Sequence, residues 1–68
     1  MSRLMKQADK DLLVMLAEDI KGEEDAISLY EKHIAVVENT EVKNRLIEIR
    51  DDEKEHLREL TELVEKYK

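Results

Sequence analysis

The chain has no cysteine, no proline, no tryptophan and no phenylalanine, and one glycine in 68 residues. Without cysteine there is neither a disulfide framework nor a zinc–thiolate site, although this alone leaves the compartment undecided. With no proline and one glycine, turns are few and long helices are expected. No uninterrupted apolar run of signal-peptide or membrane-span length follows Met1-Ser2-Arg3-Leu4-Met5-Lys6, so the plain reading is a soluble, untargeted, cytoplasmic protein with no membrane partner. Basic residues are outnumbered 12 to 18, and the net charge of −6 argues against a nucleic-acid partner, since phosphate binding needs clustered Lys and Arg. An acidic balance suits cations, and it also serves solubility alone.

Sixty-eight residues hold one domain with a thin core. Chains of this size are stabilised by disulfides, a metal or oligomerisation, and here only the last two are open. The clearest break is Glu38-Asn39-Thr40-Glu41. Asn39 can take the left-handed conformation that ends a helix, and Thr40 can cap the next one, with Glu41 favoured in its first turn by the helix dipole. The expected fold is all-α: a single helical half-bundle over 1–68, with one helix at about 9–38, a turn at 39–40 and a second helix at about 41–67. Two such antiparallel hairpins would dimerise into a four-helix bundle.

Hydrophobic periodicity says more. In the first helix Leu13, Leu16, Ile20, Glu23, Ile27, Tyr30, Ile34 and Val37 step by threes and fours. In the second, Val42, Leu46, Ile49, Glu53, His56, Leu60, Leu63 and Tyr67 do the same. Such steps define the buried seam of a bundle. Only Glu23, Glu53 and His56 are neither apolar nor tyrosine. Glu23 lies sixteen residues before Asn39, and Glu53 and His56 lie thirteen and sixteen beyond Thr40. At about 1.5 Å per residue, the three meet at one height, roughly 20–24 Å from the turn.

Buried carboxylates pair with a cation, bind a metal or take up a proton. No Lys or Arg occupies the seam to neutralise these. Glu53 and His56 are three apart and can grip the same ion from adjacent turns. Glu-x-x-His on one helix with a Glu on its neighbour is half the ligand set of a di-iron carboxylate bundle. The other half would come from a second copy across a two-fold axis, giving four carboxylates and two imidazoles. The rival reading is a metal-free structural hairpin, an oligomerisation module in which a seam Glu or His sets register, or in which the imidazole is simply hydrogen-bonded to Glu53 or Glu23.

The run Glu23-Glu24-Asp25-Ala26-Ile27-Ser28-Leu29-Tyr30, followed by Asp51-Asp52-Glu53-Lys54-Glu55-His56, resembles the ferritin-like superfamily pattern of Glu, then Ala, then Tyr seven residues on, and later Glu-x-x-His. The thirty-residue interval from Glu23 to Glu53 is most similar to encapsulated ferritins, and the resemblance spans about residues 12–66. It implies a ferroxidase and iron-storage protein with an intersubunit di-iron centre, two irons per dimer, held by Glu23, Glu53 and His56, with Glu53 as the bridge between metals. It implies that Tyr30 is a phenol able to hydrogen-bond a ligand or metal-bound water, where the residues alone read it equally as a core tyrosine. It places Asp25 at an acidic position that attracts incoming iron, where the residues alone read it as a solvated carboxylate. It extends to a ring-like homo-oligomer, an encapsulin-type shell and residence inside a protein nanocompartment.

Leu29 stands where that family often has an aromatic, Gly22 where it often has an acid, and no capsid-docking tail precedes Lys68. Within the same fold, a rubrerythrin-like peroxide reductase is the near alternative, but its usual rubredoxin-type iron needs cysteines. His33, three residues beyond Tyr30, reads as a flanking surface histidine. Gly22 costs its helix about 1 kcal/mol relative to alanine. It recurs with Met15, Leu29 and Val36 every seven residues, away from the seam. That second stripe, with Ile47, Leu57 and Val64 off the seam of the second helix, predicts contacts beyond the dimer.

Overall fold

The computed structural model describes residues 7–68, so residues 1–6, which bear on the untargeted reading, lie outside it. Helix α1 spans Gln7–Val36 and helix α2 spans Thr40–Tyr67, and the two pack antiparallel. Every described position from Gln7 to Tyr67 is helical except the three turn residues Val37, Glu38 and Asn39. The hairpin measures 57 × 15 × 13 Å, a single layer two helices wide. Neither helix is long and apolar enough to cross a membrane.

The turn is made by side-chain and backbone capping. The Val37 amide donates to the His33 carbonyl at 2.9 Å, which closes α1. Asn39 has an extended backbone (φ −68°, ψ 117°), and its side-chain oxygen accepts from the Val42 amide at 2.9 Å. Its carbonyl accepts from the Lys43 amide at 2.9 Å. Asn39 thus caps α2 instead of ending α1 in the left-handed region, and no described residue has a positive φ. Thr40, expected as the cap, is the first helical residue. Asparagine serves both roles in general. The extended conformation prevails here because it aims the amide oxygen at an otherwise unsatisfied N–H of the first turn.

The seven seam residues of α1, and Val37 in the turn, are at least partly buried, and Leu16, 8% exposed, is the buried apolar side chain among the described residues. On α2 the packing departs from the sequence seam. Leu46, Glu53 and Leu60 are half-buried, but Val42, Ile49, His56, Leu63 and Tyr67 are exposed. Ile47, Leu57 and Val64, expected off the seam, are half-buried, as are Lys43 and Arg50. The face α2 turns toward α1 is therefore rotated from the row of seam positions, so that part of the seam looks out of the hairpin.

Surface ion pairs decorate both helices. Arg58 bonds Glu55 and Glu62, Arg45 bonds Glu48 at 2.7 Å, and Lys54 on α2 approaches Glu31 on α1 at 3.8 Å. Exposed pairs of this kind contribute little individually. The cap matters more. Asn39→Ala should lower the unfolding free energy by about 1 kcal/mol, as loss of an N-cap does, and depress the thermal midpoint. An unchanged melting curve would mean that the Val42 amide has found another acceptor.

Candidate metal centre

Glu23 lies thirteen residues before Val36, and Glu53 lies thirteen beyond Thr40, so a three-residue turn sets the two carboxylates level. His56 follows one turn further along α2. One ligand atom from each of Glu23, Glu53 and His56 falls within a cluster in which all lie within 4.8 Å of one another. The nearest approach of His56 Nδ1 to Glu53 Oε2 is 4.0 Å, too long for a hydrogen bond between them. The imidazole is thus not hydrogen-bonded to Glu53, one of the two partners that the metal-free reading offered.

Burial is uneven across the three. Glu23 and Glu53 are half-buried, while the His56 side chain is 55% exposed. One oxygen of Glu23, Oε2, is buried with no hydrogen-bond partner. A buried polar atom left without a partner costs about 1–3 kcal/mol. The donors fit a hard or borderline cation: carboxylate oxygens and an imidazole nitrogen are what iron, manganese or zinc take, and a cation would satisfy the orphaned oxygen.

Glu23 and His56 line part of an open trough along one side of the hairpin. Its walls are Glu18, Asp19, Gly22 and Glu23 on α1 and His56, Glu59, Leu60 and Leu63 on α2. Four of those eight residues are carboxylates and none is Lys or Arg. Glu18, Asp19 and Glu59 were not singled out from the sequence, yet the signal was there. Asp19 stands four residues before Glu23, and Glu59 stands three after His56, the helical spacings that share a face.

Other sequence candidates lie elsewhere. Asp25 does not line the trough. Its carboxylate bonds Lys21 Nζ at 2.7 Å, and this hydrogen bond, with the carboxylate's charge, raises the lysine's pKa. Glu55, next to His56, is occupied by Arg58, whose hydrogen bond holds that carboxyl below the usual range. Tyr30 is half-buried on the inner face of α1, two turns from Glu23 toward the turn, and His33 is exposed. Arg50, one turn before Glu53, has a side chain only 24% exposed but bonds Asp51 at 3.0 and 3.2 Å. The seam positions alone did not reveal this half-buried guanidinium, because Arg50 sits on the rotated α1-facing row.

A helical hairpin that aligns a Glu on one helix with Glu-x-x-His on the next defines a protein of the ferritin-like di-iron carboxylate class. Within that class the chain belongs to the family described as ubiquinone biosynthesis protein COQ7, whose model it matches over residues 10–68. No curated protein and no solved structure matches it. The match supports the superfamily expected from the motif but not the encapsulated ferritins specifically. The interval between the ligand positions, on which that narrower resemblance rested, is set by the geometry of a short-turned hairpin and so does not separate families sharing it.

Glu23→Leu should stabilise the metal-free protein by about 1–3 kcal/mol, because it removes the orphaned oxygen and adds apolar contact. Thermal melting in the presence of a chelator reads this out, at about 4–8 °C per kcal/mol for a domain of this size. A lower midpoint would show that the carboxylate is satisfied in solution without metal.

Proposed function

We propose that the chain is a ferroxidase whose centre is completed by a second copy, so that Glu23, Glu53 and His56 of two chains supply four carboxylates and two imidazoles for two irons. The observation that carries this reading is the cluster of three donor atoms within 4.8 Å, together with a buried oxygen of Glu23 that has no partner, beside a carboxylate-lined trough. Three protein donors leave a two-metal centre half built, and a two-fold axis would duplicate each.

Iron bound there would supply one-electron redox chemistry, with Fe(II) as the substrate. Two Fe(II) ions give up two electrons. With two protons these reduce one dioxygen to hydrogen peroxide, or one hydrogen peroxide to two waters. The residues' part is binding and charge. Carboxylates stabilise Fe(III) over Fe(II) because they are hard anionic donors, and Glu53, with its neighbour His56 on the next turn, would be the ligand that the two irons share. His56 brings a neutral donor that moderates the negative charge of the set. The half-buried Tyr30 would serve as a phenol donor beyond the ligands. Glu18, Asp19 and Glu59 raise the local concentration of cations at the trough, the role that the resemblance gave to Asp25. Storage of the Fe(III) product, a ring-like assembly and an enclosing shell extend the same reading.

The family's name favours a second reading, oxygen insertion during ubiquinone biosynthesis. Both would use the same donors, and the charged side chains of the trough support the first. Leu60 and Leu63 are its apolar side chains, against Glu18, Asp19, Glu23, His56 and Glu59. The five ionisable side chains support a hydrated cation as the occupant. The peroxide-reductase variant differs only in oxidant and would need electrons from another protein.

Stopped-flow oxidation of Fe(II), with metal quantified per chain, tests the assignment. Wild type should bind one iron per chain and oxidise Fe(II) well above the no-protein rate. Glu53→Ala should abolish this, and His56→Ala should remove most of it. If Fe(II) oxidation stays at the background rate while dioxygen uptake depends on an added ubiquinone precursor, the hydroxylase reading replaces this one.

A further inference from the structure

Gly22, His56 and Leu63 line one trough. Residues spaced by seven lie in nearly the same row of a helix. The α1 row Met15, Gly22, Leu29, Val36 and the α2 row Val42, Ile49, His56, Leu63 therefore flank a single open face. Their apolar members are 37–76% exposed, with His56 set among them. A Cβ built on Gly22 would meet nothing within 4 Å, so the α1 wall at the height of the donors is open. The stripe expected to serve contacts beyond a dimer thus borders the donor cluster itself.

An apolar face of this kind favours closure, but its floor opposes it. Glu18, Asp19, Glu23 and Glu59 put four carboxylates on each copy, and two copies facing each other bring eight together in a chain already at −6. Like charges juxtaposed in an interface cost several kcal/mol. We propose that this face is the surface on which a second copy of the chain docks, and that Glu18, Asp19 and Glu59 hold the copies apart until divalent cations neutralise the trough. A second copy is the occupant because the donor set is incomplete without one and an isologous contact duplicates it. The proposal rests on the shared centre described above and adds the condition on its formation: the dimer closes only when loaded.

Sedimentation velocity at dilute full-length protein, in chelator or with Fe(II) under argon, tests it. Wild type should run as a monomer in chelator and as a dimer with Fe(II). The variant Glu18→Gln, Asp19→Asn, Glu59→Gln should dimerise in chelator, with a dissociation constant lowered at least about tenfold. Leu29→Lys with Ile49→Lys should stay monomeric under both conditions, with circular dichroism confirming that its helices are retained. Equal wild-type dimer affinity with and without Fe(II), no tightening in the neutralised variant, or dimerisation of the lysine variant would each overturn the proposal. A wild-type dimer in chelator that still oxidises Fe(II) removes the gate and leaves the ferroxidase reading standing. Metal-linked dimerisation without Fe(II) oxidation does the reverse.

Discussion

A carboxylate oxygen held inside a hairpin with nothing to bond is the constraint on which the rest of this structure turns. Glu23 Oε2 is enclosed by a molecule only two helices wide, where an apolar residue at the same position would add to a meagre core. Placing a charge there weakens the metal-free chain. A cation bound there would recover the cost, and the donors able to receive one, Glu53 and His56, stand at the same height on the opposite helix. Stability and chemistry therefore compete for one seam position, a conflict expected where function overrides packing.

The hairpin cannot resolve the conflict alone. A single layer leaves one long side of each helix uncovered, and apolar side chains at seven-residue intervals remain in water on both. Burying them against another copy would cover the trough and exclude solvent from the donors. Lower local dielectric then strengthens every metal–carboxylate contact and every repulsion between carboxylates left without metal. The proposed closure would thus be favourable when loaded and unfavourable when empty.

Much of this was legible in the residues. The α1 seam was read correctly because one row of side chains serves both its neighbour and the bundle interior. The common height of Glu23, Glu53 and His56 followed from helical rise alone, since a short turn leaves little slack. On α2 the pattern misled in an instructive way. Seam periodicity records the average direction of burial in the complete bundle, whereas contacts within one hairpin record only the direction of α1. Ile47, Leu57 and Val64 serve α1, and Val42, Ile49 and Leu63 face away from it. The sequence superimposes the two rows and cannot apportion them. Asn39 was ambiguous for a different reason, because ending one helix and capping the next draw on the same short amide, and only backbone angles distinguish them. The carboxylates of the trough were overlooked because acids on an acidic chain resemble ordinary solvated surface.

The turn of three residues has a further consequence for how this chain can vary in length. From the turn to each carboxylate of the cluster runs an uninterrupted helix, a ruler of thirteen steps on either side. Inserting or deleting one residue in either ruler would slide the ligand by about 1.5 Å and swing it about 100° around the helix axis, carrying it out of the cluster altogether. Between Glu23 and Glu53 the chain is therefore metrically rigid, as strict in residue count as it is in ligand identity. Beyond the donors, toward the open end of the hairpin, no such ruler applies. Lengthening or shortening that end changes how much helix is paired but leaves the donors where they are.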